Sequence, residues 1–328
     1  MSESDWMVVE TLGLPDQPTL VADGAHLRQW SSLVRARRQA GASIPGCIVQ
    51  VVRRCVDSAV VEIETAPEGM RVVGVPIICA FGSVHGVQVW VGPAGRPQPP
   101  QRRVACWDWD TGTELAFHGP GLEELVFARA PDEVGVVRTP PEAFGRMVRF
   151  DGRLDYLEMA ARAVPGSCWQ GVVDMIGDDN RVRTFQMITR VNHGEQRMVR
   201  AIMHELSDDR TPEPALDIAL VRAVSRPMGY GLGFVELLLS LIYEWTREPP
   251  PPLHRWATER PEVHPDDHAE FRTACSKVYR GSPGDLRQEI AMRVRFRGTD
   301  WIPVRAEISL IPGQHPHGLI CVRHDPAG

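Results

Sequence analysis

Hydrophobic and polar residues alternate in short runs along much of the chain, and this period of two predicts β-strands. Three such runs close each third of the sequence. Turn-forming residues, such as those at 178–180 and 312–313, separate neighbouring runs, so each group predicts three consecutive antiparallel strands. The runs lie at 60–64, 71–80 and 85–91, at 169–176, 181–191 and 196–205, and at 285–296, 301–310 and 318–323.

Each third also opens on strand-like runs, and the stretches between them show the three- to four-residue spacing of amphipathic helices. The repeated plan of opening strands, helices and three closing strands predicts an α+β fold, in which a five-stranded antiparallel sheet carries helices on one face. The opening runs lie at 6–10 and 19–22, at 104–110 and 114–117, and at 216–224. The predicted helices lie at 26–38, 48–56, 122–127, 154–163, 234–245 and 266–278.

Proline-rich and polar stretches divide the chain. Those at 92–100 and 207–214 are typical of stiff, solvated linkers. They predict three domains, which comprise residues 1–97, 101–210 and 213–328. A further proline cluster at 249–252 falls inside the last segment and is interpreted as an internal loop.

Two short motifs resemble parts of PAS domains. The stretch 107–113 (WDWDTGT) is similar to the opening strand and turn of that fold, and the stretch 263–268 (VHPDDH) is similar to the start of its last helix. The second motif has a structural explanation. Pro265 suits the first helical position, where no N–H is needed, and the two aspartates after it complement the helix dipole. His264 or its neighbour is expected to cap this helix.

Two longer stretches, 5–13 (DWMVVETLG) and 84–93 (VHGVQVWVGP), resemble an uncharacterised family of three-domain actinobacterial proteins with tandem PAS-like modules. The resemblance implies three consecutive PAS-like domains, with a GAF-like fold as the alternative for the first. It implies no known reaction.

The amino-acid composition narrows the class of protein further. The 328 residues are 43% hydrophobic and 24% charged, as in ordinary globular proteins, and the net charge of −6 argues against a basic nucleic-acid-binding surface. The seven cysteines form no C-x-x-C pair and are interpreted as reduced core thiols. The acidic N-terminus does not resemble a signal peptide. The longest apolar stretch, 232–245, is shorter than the ~20 residues of a membrane span. We therefore expect a cytoplasmic protein without a membrane span.

Candidate catalytic motifs are incomplete. The glycines at 229–233 depart from the spacing of a dinucleotide-binding loop and predict a flexible turn between strand and helix. In the stretch 82–86 (GSVHG), the serine lies one place too early for a nucleophile elbow, and the stretch is expected to form a hairpin. The carboxylate pairs at 123–124 and 178–179 are expected to be solvated.

Metal and cofactor sites are not indicated either. His264 and His268 share a helix face near His254, but no third ligand has a convincing spacing. His315 and His317 are expected to be exposed in a loop. The flavin-binding string Asn-Cys-Arg-Phe is absent, and segment 122–166 offers no histidine for haem, so no cofactor is implied.

Aromatic residues of the middle segment supply the candidate ligand site. Their alternation along predicted strands places pairs of them on one face, where they either fill a core or line a pocket for an apolar ligand. The candidates are Trp107, Trp109, Trp169, Phe185 and Met187.

Three predicted domains leave no room for an effector domain. The leading hypothesis is therefore a non-enzymatic sensory or signal-transduction protein. It would act through a small apolar ligand, through contacts with an unidentified protein partner, or through both. The alternatives are a hydrolase-like enzyme that uses one domain pocket, and a purely structural adaptor.

Overall fold

The structure is a computed structural model, and it describes residues 6–14, 17–24, 26–33, 44–194, 196–206, 229–281, 284–311 and 316–326. It confirms the α+β class, with three antiparallel sheets and few helices in the described part. The chain forms two compact units. The first comprises residues 1–137 and 163–213, and the second comprises 138–162 and 214–328. The predicted boundaries of three domains stay a prediction.

The first sheet lies in the first unit and has six strands in the order β3-β2-β1-β6-β5-β4. Helix α1 packs on it through Ile48, Val51 and Cys55, as its apolar spacing predicts. At Gly74 of β5 a Cβ atom would lie 2.6 Å from Val51, so glycine permits the close approach of the helix. The elements are β1 (Met7–Glu10), β2 (Thr19–Asp23), β3 (His26–Ser32), α1 (Ile44–Ser58), β4 (Glu62–Ala66), β5 (Met70–Ile78) and β6 (Val84–Pro93).

The helix predicted at 26–38 is wrong where the structure describes it, since residues 26–32 form strand β3. Leu27 and Trp30 have the spacing of a helix, but β3 is an edge strand that pairs only with β2 within its sheet and exposes most of its side chains. No alternating pattern therefore marked it as a strand. Residues 34–38 lie outside the described residues.

The second sheet has seven strands, of which five lie wholly in the first unit in the order β11-β12-β13-β7-β8. The helix predicted at 122–127 is a π-helical turn at Glu123–Phe127. The strands are β7 (Val104–Asp110), β8 (Leu115–His118), β9 (Val137–Arg138), β10 (Met147–Arg149), β11 (Cys168–Ile176), β12 (Val182–Val191) and β13 (Met198–Glu205). The helices between them are α2 (Pro140–Phe144) and α3 (Arg153–Arg162), the second of which was predicted.

The third sheet lies in the second unit, with six strands in the order β15-β14-β19-β18-β17-β16. Helix α4 packs on it through Phe271, Cys275 and Val278. As expected, His264 caps this helix, because its Nδ1 accepts a hydrogen bond from the backbone N–H of Asp266 at 3.3 Å. The elements are β14 (Gly231–Glu236), β15 (Leu241–Arg247), β16 (Glu262–Val263), α4 (Pro265–Arg280), β17 (Arg287–Arg295), β18 (Ile302–Leu310) and β19 (His317–His324).

The helix predicted at 234–245 is wrong, because this stretch forms strands β14 and β15. Both strands bury side chains on their two faces, and a continuous apolar run does not distinguish a strand from a helix. Gly231 and Gly233 belong to β14 instead of a flexible turn. A Cβ atom at Gly233 would lie 2.8 Å from the Trp245 ring. The predicted strand at 216–224 lies outside the described residues.

The prediction of five-stranded sheets is also wrong, since the three sheets have six, seven and six strands. The additional strands include short ones, such as the two-residue β9 and β16, which are too brief to show a period. Within the described part of the chain, no helix has the length and hydropathy needed to cross a bilayer.

Candidate functional site

The five predicted pocket residues lie on one face of the second sheet. Directly opposed residues of antiparallel strands share a face. Trp107 is opposite Ala201, Ala201 is opposite Thr189, and Thr189 is opposite Trp169. Trp109 lies two residues after Trp107 on the same strand. Phe185 and Met187 are opposite Val173 and Gly171, four and two residues beyond Trp169.

This aromatic face, defined by Trp107, Trp109, Trp169, Phe185 and Met187, is only partly accessible to solvent. Phe185, Met187 and Trp109 are buried, whereas Trp107 and Trp169 are half-buried. The two half-buried rings stand three strand spacings apart, about 14 Å. The Nε1 of Trp109 is buried and has no hydrogen-bond partner among the described residues. The arrangement therefore combines a large apolar surface with one unused donor.

The opposite face of the second sheet packs on the first sheet within the same unit. Cys106 and Ile202 of the second sheet join Val8, Ile77 and Cys79 in one apolar cluster. Because side chains alternate along a strand, Cys106 and Asp108 of β7 point away from the aromatic face and toward the first sheet.

A tight turn of the first sheet presents two reactive side chains to this contact. Cys79 follows β5, and His85 is the second residue of β6. The Cys79 N–H donates to the Ser83 carbonyl at 2.9 Å, and the Gly82 N–H donates to the Cys79 carbonyl at 3.0 Å. Gly82 has a φ of +82°, which glycine adopts without strain. The hairpin expected at 82–86 is thus confirmed.

Cys79, His85 and Asp108 form a buried cluster, which we call the thiol–imidazole–carboxylate cluster. One ligand atom of each lies within 4.8 Å of the others. His85 Nε2 is 3.2 Å from Asp108 Oδ1, and both side chains are at most 3% exposed. Cys79 Sγ lies 3.0 Å from the Ser83 hydroxyl. Arg200, which is one-third exposed, comes within 4.0 Å of Asp108 Oδ1.

Some hydrogen-bonding capacity in this cluster is unused. His85 Nδ1 lies 3.5 Å from the Ala201 carbonyl oxygen. In contrast, His85 Nε2 and Asp108 Oδ2 have no hydrogen-bond partner of good geometry within the described ranges. A buried polar group left unsatisfied costs about 1–3 kcal/mol. The geometry therefore points to a further group between these side chains.

The surroundings shift the pKa of two side chains. Burial lowers the pKa of His85, but the polar contacts with Asp108, Cys106 and Cys79 outweigh burial and raise that pKa well above its usual range. Burial raises the pKa of Cys79, but the contacts of its thiol with His85 and Ser83 leave that pKa below its usual value. A lowered pKa increases the share of thiolate, the form of cysteine that acts as a nucleophile or a metal ligand, and burial restricts access to small species.

The sequence did not reveal this cluster. Cys79 and Cys106 were interpreted only as core thiols, and Asp108 only as part of a PAS-like motif. His85 and Asp108 lie on strands of different sheets, and Cys79 lies in the turn that follows β5. The spacing of the three residues matches no known metal or catalytic motif. A cysteine and a histidine at the two ends of a predicted hairpin were the one local signal.

A second buried polar pair lies in the second unit. Glu236 of β14 and His317 of β19 are direct cross-strand partners, 0% and 1% exposed. Burial raises the pKa of Glu236 to about 7, although the Leu239 N–H donates to its Oε2 at 2.6 Å. Burial, with a contribution from the charge of Arg153, lowers the pKa of His317 to about 4.

The structure corrects three expectations about which side chains are buried and which are exposed. His317 is not in an exposed loop, because β19 begins at this residue and the Tyr243 ring packs edge-on against it at 5.7 Å. His315 lies outside the described residues. Glu123 is buried, with its carboxylate 2.5 Å from His118 Nδ1 and paired with an arginine. Cys168 is exposed at the start of β11 and is not a core thiol.

The fold and these sites define an α+β protein of three antiparallel sheets with buried aromatic and ionisable clusters. Residues 5–100 match the family model described as Rv3651-like, N-terminal. The chain has the fold of an uncharacterised protein from Mycobacterium tuberculosis, with 21% identity and a TM-score of 0.77 over 98% of this chain and 97% of that one. The expected resemblance to an uncharacterised actinobacterial family is confirmed.

A second solved structure, an RNA-binding light-oxygen-voltage receptor, is far less similar. It has 9% identity and a TM-score of 0.28, over 67% of this chain and 95% of that one. This likeness is too low to carry an argument. No curated protein matches the chain.

Proposed function

We propose that this chain is a non-enzymatic, cytoplasmic sensory or signal-transduction protein with tandem PAS-like domains, and that it binds a small apolar ligand on the aromatic face. One observation carries the proposal. Five large apolar side chains from three strands share this face, and Trp107 and Trp169 remain half-buried at its surface.

The physical chemistry of this face favours binding of a flat or elongated apolar molecule. Aromatic side chains contribute large contact areas, and stacking adds about 0.5–1.5 kcal/mol per aromatic pair. The buried Nε1 of Trp109 donates to no described residue, so a ligand with one hydrogen-bond acceptor would satisfy it. We infer that specificity comes from this donor and affinity from the two half-buried rings.

Burial of the reactive groups supports binding without turnover. The thiol of Cys79 and the imidazole of His85 are 2% and 0% exposed. A hydrolase needs its nucleophile and base within reach of a substrate. The bound state would instead be passed on through contacts with a protein partner.

The test uses the full chain, native mass spectrometry and titration with the fluorescent apolar probe 8-anilinonaphthalene-1-sulfonate. Trp169→Leu and Trp107→Leu should each weaken probe binding roughly tenfold, the equivalent of about 1.4 kcal/mol. Trp301→Leu is the matched control, because Trp301 is also half-buried but lies in the second unit, directly before β18.

Equal probe binding by all three variants and the unchanged chain would contradict the proposal. So would turnover of an ester or peptide substrate that Cys79→Ser abolishes, since that result favours the hydrolase-like alternative. Absence of probe binding by the unchanged chain would favour a structural adaptor.

A further inference from the structure

The thiol–imidazole–carboxylate cluster has the composition of a metal-binding site. Among the described residues, Cys79, His85 and Asp108 are the one group of three metal-ligating side chains with ligand atoms within 4.8 Å of one another. We propose that they bind a divalent metal ion of the zinc class. This site lies on the opposite face of the second sheet from the aromatic face, so the proposal does not depend on the apolar ligand.

Unused polar atoms support a bound ion over a simple ion pair. A buried histidine–aspartate pair that existed for its own stability would align its hydrogen bond and satisfy its second oxygen. Here the 3.2 Å contact between His85 Nε2 and Asp108 Oδ1 is not aligned as a hydrogen bond, and Asp108 Oδ2 has no hydrogen-bond partner in the described part, although the two side chains are almost fully buried. A cation between them would displace the Nε2 proton to solvent and accept electron pairs from both side chains.

The mixture of donors selects the class of metal. Mg²⁺ and Ca²⁺ prefer oxygen ligands throughout, whereas Zn²⁺ accepts thiolate, imidazole and carboxylate in one tetrahedral site. Zinc bonds of about 2.0–2.3 Å place tetrahedral ligand atoms roughly 3.5 Å apart. The spread of up to 4.8 Å in the cluster therefore requires only a small inward movement of the side chains.

Neighbouring groups already orient two of the ligands. His85 Nδ1 faces the Ala201 carbonyl at 3.5 Å, which directs Nε2 toward Asp108. Backbone partners of this kind commonly fix the tautomer of a metal-binding histidine. The sulfur of Cys79 accepts a hydrogen bond from the Phe81 N–H at 3.4 Å and lies beside the Ser83 hydroxyl.

The fourth coordination position has two available occupants. Cys106 lies two residues before Asp108 on the same face of β7 and influences the pKa of His85, although its sulfur is outside the group of ligand atoms that lie within 4.8 Å of one another. Its thiol would close the site, and a water molecule would leave the site open. In either case the ion would tie the first sheet to the second within the first unit. Asp108 also lies between Trp107 and Trp109, so ion and apolar ligand would act on opposite faces of one strand.

The first experiment needs no variant. The full chain is stripped with a chelator and titrated with Co²⁺, and Zn²⁺ affinity is then measured by competition. We expect one ion per chain, a thiolate-to-cobalt charge-transfer band in the near ultraviolet, and strong visible bands typical of tetrahedral cobalt. Zn²⁺ should bleach these bands. Absence of binding, or binding without a thiolate band, would overturn the proposal.

Variants then assign the ligands. Cys79→Ser and Asp108→Asn should each weaken Zn²⁺ binding at least about 100-fold. Loss of a residue that only hydrogen-bonds to a metal ligand already lowers metal affinity about 10- to 100-fold, and loss of a ligand should cost more. Two cysteine variants outside the cluster are controls, and both should bind Zn²⁺ as the unchanged chain does. Cys275→Ser alters a buried thiol of the second unit, and Cys168→Ser alters an exposed thiol. Near-ultraviolet circular dichroism of each stripped variant shows whether it is folded. Wild-type affinity in a folded Cys79→Ser or Asp108→Asn chain would also overturn the proposal.

Discussion

The buried pair Glu236 and His317 should impose two opposing pH dependences on the stability of the second unit. Glu236 has a pKa raised from 4.5 to about 7, so the folded state holds its proton more tightly than the unfolded state. His317 has a pKa lowered from 6.5 to about 4, so the folded state resists protonation. Substituting either residue removes one dependence and leaves the other.

The sign of each contribution follows from proton linkage. The contribution of Glu236 to the free energy of unfolding is fully present below pH 4.5. It is lost as the pH rises toward about 7, because the carboxyl group ionises first in the unfolded state. The contribution of His317 to the free energy of unfolding is fully present above pH 6.5. It is lost as the pH falls toward about 4, because the imidazole is protonated first in the unfolded state. Each pH unit of separation is worth about 1.36 kcal/mol, so each contribution amounts to roughly 3 kcal/mol.

The two contributions nearly cancel in the unchanged chain, since one is lost over the interval in which the other is gained. Relative to the unchanged chain, Glu236→Gln should therefore gain about 3 kcal/mol of stability between pH 4.5 and 7. His317→Gln should gain about 3 kcal/mol as the pH falls from 6.5 to 4. The two difference curves have slopes of opposite sign.

The assay is urea unfolding of the full chain, followed by hydrogen-exchange mass spectrometry of peptides that cover β14 and β19. These peptides report opening of the second unit without requiring the whole chain to unfold in one step. Glu248→Gln and His324→Gln are matched controls, because both residues are exposed in the same sheet region: Glu248 follows β15 and His324 ends β19. Their difference curves should be flat within about 0.5 kcal/mol. Difference curves for Glu236→Gln and His317→Gln whose slopes against pH have the same sign would refute the reasoning.

Two further predictions concern the first unit. Gly74→Ala should lower stability by about 1–3 kcal/mol in thermal unfolding, because its Cβ would overlap the side chain of α1, whereas Gly95→Ala, with open space around its Cα, should change little. Equal melting temperatures for the two variants would contradict this account of α1 packing. Glu123→Gln should lower the free energy of unfolding by about 3 kcal/mol, because it breaks a buried ion pair. Glu124→Gln, which changes the exposed neighbouring residue, should lower it by less than about 0.5 kcal/mol. An equally stable Glu123→Gln chain would show that the buried network does not stabilise the fold.

Local sequence determined most of the elements. Runs of strand-forming residues bounded by turn residues placed β5, β6, β12 and β18 within a few residues of their observed bounds, although β6 and most of β12 are buried on both faces. The start of α4 followed from Pro265 and its neighbours, since the capping of a helix depends on a few consecutive residues. The period of two along a strand placed Trp107 with Trp109 and Phe185 with Met187, and strand register then brought both pairs to one face.

The local pattern failed in two places. The stretch 234–245 is buried on both faces, and its nearly continuous apolar run fits a helix as well as a strand. Strand β3 is exposed on most sides, so no buried face marks it as a strand.

The candidate sites depended on tertiary structure. Cys79 and His85 come from one sheet and Asp108 from another, and only the packing of those two sheets brings a thiol, an imidazole and a carboxylate within 4.8 Å. His317 is buried because β19 pairs with β14 and the Tyr243 ring packs against the imidazole, which its own neighbours in the sequence do not indicate. The sequence by itself determined most of the secondary structure, because strand-forming runs, helical spacing and turn residues are local signals. The contacts between elements, and with them the chemistry of this protein, were decided by long-range packing that no local pattern encodes.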